Sequence, residues 1–261
     1  MKTILVEDPM SESGYKEMVF DLPLNRASGN MYKWVSHTWN PVKGICPHGC
    51  QYCNMNNLLL DKYKPILVDD EFRRNLDEAK VLFVGDSIDL FSEAVPMGWI
   101  MKVLDHCTMF NDERPEKGHI SFLFMSKNPA GMLKYAAHRV FKHAIAATTI
   151  ESNRHYPEYM GNTHKPEERV EPMAKLSEMG IYTMVSLEPL MDFDLEELVD
   201  LIKRCEPKRV VIGKNSNRQI SVPEPPAEKV KLLCAELGKF TKVFVMENAR
   251  EWYDKNIATI S

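Results

Sequence analysis

Val81-Leu82-Phe83-Val84-Gly85 reads as a short apolar strand. The chain after it opens a helix at Pro96, with Ile100, Val103, Leu104 and Cys107 on one face, and then forms a second strand, Ile120-Ser121-Phe122-Leu123-Phe124-Met125. Two nearly continuous apolar strands joined by a helix form a βαβ unit, so both strands are expected to lie parallel and buried. The alternation continues in both directions. Residues 144–150, 181–187, 209–213 and 243–246 read as further strands, and residues 32–38 as the first. One intervening helix is capped by Asp194 and turns Leu195, Leu198, Val199 and Ile202 inward, and another is introduced by Pro225-Pro226 and ends near Gly238.

This pattern predicts an α/β fold, a partial or complete parallel βα barrel with about six core strands. A doubly wound open sheet is the alternative, but no Gly-x-Gly-x-x-Gly turn supports it. Residues 1–30 are expected to form an N-terminal extension packed on the barrel, residues 31–250 the barrel itself, and residues 251–261 a C-terminal tail. A chain of 261 residues, 44% hydrophobic and 27% charged, suffices for an ordinary core.

Three cysteines share one short turn, Cys46-Pro47-His48-Gly49-Cys50-Gln51-Tyr52-Cys53. Three thiolates can hold three corners of a four-iron four-sulfur cluster, whereas a cluster that only transfers electrons normally takes four, so one iron would stay open to a small ligand. Pro47 and Gly49 let the loop turn tightly. The competing reading is a structural zinc site made by the same cysteines with His48. In the cluster reading, His48 is an exposed spectator or a contact outside the ligand set. Cys107, Cys205 and Cys234 are isolated, and Cys107 and Cys234 fall on helical apolar stripes, so they read as core residues.

Three clustered cysteines leave one unpaired, which disfavours a disulfide. The N-terminus turns acidic at Glu7-Asp8 before a signal-peptide apolar region forms, and no apolar run approaches the ~20 residues of a membrane span, so a reducing, cytoplasmic location is expected. A net charge of −4 and a pI near 6.1 provide no global attraction to a phosphate backbone. Any nucleic-acid partner must be held locally. Small basic groups occur at Lys62 and Lys64, Arg73 and Arg74, Lys208 and Arg209, and Lys214 with Arg218.

In βα barrels the reacting groups lie at the C-terminal ends of the strands. That rule selects Gly85-Asp86-Ser87, Ser126-Lys127-Asn128, Thr148-Thr149 with Glu151, Ser186 with Glu188, and Lys214-Asn215. Together they suit a zwitterionic cofactor, with carboxylates for an ammonium, a lysine for a carboxylate and hydroxyls for a ribose. Glu151 and Glu188 also form a candidate acid–base pair for hydrolysis.

Trp39-Asn40-Pro41-Val42, the cysteine loop, Gly85-Asp86-Ser87-Ile88-Asp89-Leu90-Phe91, Phe124-Met125-Ser126-Lys127-Asn128-Pro129 and Val185-Ser186-Leu187-Glu188-Pro189-Leu190 resemble, in this order, the motifs of a phage-associated branch of the radical S-adenosylmethionine (SAM) superfamily. The resemblance spans residues 34–213. It implies an isomerase-type enzyme in which Cys46, Cys50 and Cys53 hold a four-iron four-sulfur cluster whose open iron takes SAM. Reductive cleavage of SAM by an electron donor such as flavodoxin or ferredoxin would yield a 5'-deoxyadenosyl radical that abstracts hydrogen. Tyr52 matches the aromatic that contacts the adenine. Gly85-Asp86-Ser87 occupies the position of a Gly-Gly-Glu stretch that contacts the SAM ammonium, and departs from it.

The resemblance further implies that Asp86, Ser87, Ser126, Lys127, Thr149, Glu151, Ser186 and Glu188 surround SAM, with Asn40, Lys214 and Asn215 toward the substrate. Phage association points to DNA hypermodification in an infected bacterial host, with isomerisation of an amino-acyl-modified thymidine flipped out of the base stack. Trp39, Tyr63 and the lysines beside Tyr63 are rim candidates for that DNA. A free nucleoside or peptide substrate, and a zinc-stabilised binding module without redox chemistry, are the alternatives.

Overall fold

The fold is that of a computed structural model, which describes residues 2–7, 10–11, 13–57 and 64–252. Its strands are β1 (Lys2–Glu7), β2 (Tyr15–Phe20), β3 (Asn25–Arg26), β4 (His37–Trp39), β5 (Val42–Lys43), β6 (Ile66–Leu67), β7 (Val81–Val84), β8 (Ser121–Met125), β9 (Ala144–Thr149), β10 (Tyr182–Leu187), β11 (Arg209–Ile212) and β12 (Lys242–Val245). The helices are α1 (Met97–Asp112), α2 (Pro129–Leu133), α3 (Pro157–Met160), α4 (Val170–Glu178), α5 (Leu195–Arg204) and α6 (Ala227–Leu237).

The main sheet has the order β12-β11-β10-β9-β8-β7-β4-β3. Every pair from β4 to β12 is parallel, which makes seven parallel strands in succession, and β3 adds an antiparallel edge. Side chains alternate between faces, as strand geometry requires. Leu82, Phe122, Phe124, Ala146, Val185, Leu187, Val210 and Ile212 enter the core shared with the helices. Phe83, Leu123, Ile145, Met184 and Val211 face the other way.

One expectation needs correction, and the choice between a partial and a complete barrel is narrowed. The first parallel strand is His37–Trp39 and not residues 32–38, because the chain turns at Tyr32–Val35, where Val35 N–H donates to the Tyr32 carbonyl at 2.9 Å. The sheet also does not close, since β12 and β3 are opposite edges and do not pair. Its inner face is filled from the N-terminal side, where Tyr32, Val35, Met31 and Trp34 pack on Phe83, Leu123, Ile145 and Met184. With that face covered by a chain segment, no further strand is needed to bury it.

β1 and β2 form a separate antiparallel hairpin. Its inward residues Ile4 and Phe20 join the main core, and Lys2 pairs with Asp77 at 2.8 Å. Residues 253–261, most of the expected tail, lie outside the described residues. No described helix is long and apolar enough to cross a membrane.

The hairpin packs on His106 of α1, which is ringed by Phe20, Trp39, Phe72 and Phe110 at centroid distances of 5.1–5.7 Å. Its Nε2 is buried without a partner. Burial, and secondarily the nearby Lys102, push the imidazole pKa down to about 3. Below about pH 6.5 the unfolded chain takes up a proton here that the folded chain refuses, so stability rises with pH through this window and is complete above it. Relative to the His106→Phe variant, the wild-type protein is expected to lose about 2 kcal/mol between pH 6.5 and pH 5. Urea unfolding at both pH values measures this, and equal losses in the two proteins would refute it.

Candidate active site

Because the strands run parallel, residues that follow them gather at one edge of the sheet. The cysteine loop lies just beyond β5 at this edge. Cys50 is buried and Cys46 and Cys53 are half-buried. The loop is docked on the segment after β9: Gln51 N–H donates to the Tyr159 carbonyl at 2.9 Å, and Asn162 N–H donates to the His48 carbonyl at 2.7 Å. Gly161 makes this approach possible. Its φ is +64°, and a Cβ there would lie 2.3 Å from the His48 oxygen and 2.7 Å from the Gly49 oxygen. Gly161→Ala therefore combines left-handed strain of about 1–2 kcal/mol with a backbone clash. It is expected to destabilise the protein by at least 2 kcal/mol. Wild-type stability of this variant in denaturant unfolding would overturn that account.

The sequence left His48 exposed or outside the ligand set. It is 7% exposed, and its Nε2 lies 2.6 Å from Asp89 Oδ2. The same carboxylate accepts from Ser126 Oγ and Lys127 N–H at 2.9 Å each, and its other oxygen accepts from Phe91 N–H at 3.0 Å. Burial alone would raise the Asp89 pKa, but His48, Ser126 and the Lys127 amide hold it below the ordinary value. Burial pushes the Cys46 thiol up to about 11, although the main-chain N–H groups of Asp89 and His48 act in the opposite direction.

A second buried carboxylate holds the other end of the loop. Glu151 and Arg169 are both fully buried and 2.9 Å apart. The Tyr52 hydroxyl donates to Glu151, and Lys127 Nζ lies 4.0 Å from Glu151 and 5.3 Å from the centre of the Tyr52 ring. Arg169 also donates to the Thr149 carbonyl at 2.6 Å, to Thr163 Oγ1 at 2.8 Å and to the His164 carbonyl. Burial would raise the Glu151 pKa, but Arg169 and Lys127 outweigh it and hold the group ionised. Burial would likewise depress the Lys127 ammonium, and the charges of Cys50 and Glu151 outweigh that, so its pKa is raised.

At the end of β7, Ser87 N–H donates to Asn40 Oδ1 at 3.1 Å, so Asn40 braces the Gly85-Asp86-Ser87 turn. Asp86 Oδ1 and Ser87 Oγ are shielded from solvent and have no protein partner. Buried polar atoms are nearly always satisfied, so this turn fits a ligand that brings hydrogen-bond donors. Burial raises the Asp86 pKa.

Ser186 Oγ is 2.9 Å from the Tyr32 hydroxyl. Glu188 accepts from Asn30 Nδ2 at 2.6 Å, and burial raises its pKa to about 8 against the opposing charge of Lys127. Thr149 Oγ1 meets only the Met125 sulfur, at 3.8 Å. Lys214 is drawn to Glu251, with Glu224 3.6 Å away, and lies over Trp252. Asn215 braces its own turn through Asn217 and Ile220. Lys62 and Tyr63 lie outside the described residues. The contacts thus join Tyr52, Lys127, Glu151, Ser126 and the cysteine loop, while Lys214 turns to Glu251 and Asn215 meets the loop through Ile220, which packs with Cys50, Tyr52 and Cys53. Two open clefts, of about 470 Å³ by Lys2, Asp77 and Lys117 and about 630 Å³ by Lys203, Lys208 and Phe240, include none of these residues.

Sequence reasoning missed Asp89, Arg169, Tyr32 and Asn30. Asp89 sits inside the motif after β7 and was legible as a second carboxylate there. Arg169, just before α4, carries no local signal that it reaches across to Glu151.

No protein-family profile matches the chain, and no curated protein sequence matches it. Solved structures do. A variant of spore photoproduct lyase superposes with a TM-score of 0.60 at 12% identity, covering 85% of this chain and 80% of that one. The chain has the fold of spore photoproduct lyase. The same enzyme complexed with dinucleoside spore photoproduct gives a TM-score of 0.61 at 11% identity over 83% of this chain and 78% of that one. SuiB of Streptococcus suis bound to S-adenosylmethionine gives 0.58 at 11% identity, over 85% of this chain and 52% of SuiB. At these identities the likeness is one of fold.

Proposed function

We propose that this chain is a radical SAM enzyme. The observation that carries the reading is a single loop with three thiols at the C-terminal edge of a parallel sheet, facing Lys127, with its one histidine committed to Asp89. A zinc tetrahedron would need that histidine as its fourth ligand. The fold is shared with spore photoproduct lyase and SuiB, which are radical SAM enzymes.

Cys46, Cys50 and Cys53 would hold a four-iron four-sulfur cluster, and Asp86 Oδ1 and Ser87 Oγ, which have no partner among the described residues, would receive the SAM ammonium. When bound, cluster and SAM supply a one-electron cleavage that yields a radical able to take hydrogen from an unactivated carbon. Lys127 offsets the negative charge of the thiolates and of the SAM carboxylate. Tyr52, fixed by its hydroxyl on Glu151, presents a ring face for the adenine. Thr149, Ser186 and Glu188, the last two braced by Tyr32 and Asn30, are the remaining candidates to contact SAM. The electron comes from a donor such as flavodoxin or ferredoxin.

For the substrate, we favour an amino-acyl-modified thymidine in phage DNA, rearranged by an isomerase-type reaction. Support comes from the sequence motifs and from the dinucleoside held by spore photoproduct lyase. A free nucleoside is the second reading, favoured by the net charge of −4.

Anaerobic reconstitution followed by dithionite and SAM tests the reaction class, with release of 5'-deoxyadenosine expected. A colourless protein that retains zinc and leaves SAM intact would end the proposal. Salt-dependent binding of modified DNA separates the two substrate readings.

A further inference from the structure

Asp89 lies between parts of the site that are far apart in sequence. Its carboxylate takes the ring nitrogen of His48, in the middle of the cysteine loop, at 2.6 Å. It also takes the hydroxyl of Ser126 and the main-chain N–H of Lys127, both at 2.9 Å. One residue thereby ties the centre of the loop to the turn that carries Lys127. The loop is also anchored by the Gln51 and Asn162 backbone bonds, by the Tyr52 hydroxyl on Glu151 and by packing of Cys50 and Tyr52 with Met160 and Met191. A short loop of this kind is ordinarily drawn from the least stable part of a fold.

We infer that Asp89 is a positioning residue that, through His48 and the Ser126–Lys127 turn, ties down the Cys46–Cys53 loop in the metal-free chain. Buried carboxylates that accept several hydrogen bonds make strong, directional ties, because the bonds are charge-assisted and shielded from water. His48 thus serves as a tether. Lys127 is placed by the same carboxylate, so the thiols and the cation facing them share one origin. The inference deepens the cluster reading, since it treats the three cysteines as ligands. Its test uses the metal-free chain, so its failure and the failure of that reading are separate results.

The test is time-resolved alkylation by iodoacetamide of the reduced, metal-free, full-length protein, read cysteine by cysteine by mass spectrometry. His48→Ala removes the tether while Asp89 keeps Ser126 and Lys127, and alkylation of Cys46 and Cys50 is expected to accelerate at least tenfold. His48→Gln restores an N–H donor of similar reach and should stay within about threefold of wild type. Cys107, Cys205 and Cys234, buried in the core, should remain protected in both, which separates local loosening from unfolding. Asp89→Asn, which keeps part of the hydrogen bonding, should lie between the two histidine variants. If Asp89→Asn exposes the core cysteines, the histidine pair decides alone. Loop cysteines that react at the wild-type rate in His48→Ala, with the core still protected, would overturn the inference, as would equal acceleration in His48→Ala and His48→Gln.

Discussion

Replacing Cys46, Cys50 or Cys53 singly by alanine is expected to lower 5'-deoxyadenosine release by more than a hundredfold, beyond the 10–100-fold typical of losing a group that merely supports a metal ligand. Each thiol would hold a separate iron, and the loop has no spare ligand: His48 faces Asp89 and is buried with it. The same variants should lose the brown colour of the reconstituted protein while remaining folded, because Cys46 and Cys53 are only half-buried. Cys107→Ala is the control. It removes a fully buried core atom from α1, so it should cost stability and leave turnover per folded molecule unchanged. Should the three loop variants retain full activity on the true substrate, the catalyst must be elsewhere, and the carboxylates Glu151 and Glu188 would become the leading alternative.

The second large effect is on stability. Arg169→Met is expected to cost about 3–5 kcal/mol, because it leaves Glu151 as an uncompensated charge in the interior. Both side chains are fully buried, so solvent screening does not dilute the interaction. The Thr149 and His164 carbonyls and the Thr163 hydroxyl lose their donor at the same time. Glu151→Gln/Arg169→Met should recover part of the loss, since it removes both charges together. Denaturant unfolding measures each step, and a single-variant cost below 1 kcal/mol would refute the assignment.

The pair also sets an acid limit. Burial opposes ionisation of Glu151, but Arg169 and then Lys127 outweigh it and hold the folded pKa below the ordinary value. Its contribution is therefore fully present above the unfolded glutamate pKa of about 4.3 and is lost as pH falls through the folded value. In Glu151→Gln that part of the acid limb should disappear.

Much of the architecture was legible because its signals are local. The apolar runs at Val81–Val84 and Ser121–Met125 each specify a buried strand. Pro96 stands immediately before α1 and Pro226 before α6, as their sequence context implies, whereas Asp194, expected to cap α5, precedes it without a side-chain cap because its carboxylate is taken by Arg154 and Asn153. Residues 32–38 misled because Tyr32 and Val35 are buried, as strand residues would be, but they pack on the inner face of the sheet and do not extend it. Burial and hydrogen-bonded pairing are separate properties, and only burial shows in hydrophobicity.

The site divides in the same way. Cys46, Cys50 and Cys53 lie within eight residues of one another, so their grouping was visible in spacing alone. The strand-end rule brought out Lys127 and Glu151, since parallel strands carry the residues after them to a common edge. It selected Lys214 and Asn215 on equal grounds, yet Lys214 turns to Glu251 and Glu224. Direction at a strand end depends on neighbours supplied by other elements.

Sequence alone thus determined the three-cysteine spacing and the strand–helix alternation, because each rests on residues close together in the chain. Only the tertiary structure decided that the sheet stays open, that His48 is tied to Asp89, and that Arg169 compensates Glu151. Those outcomes depend on buried groups 18 and 41 positions apart finding each other, and the need to satisfy charge away from water is met wherever the fold happens to bring a partner.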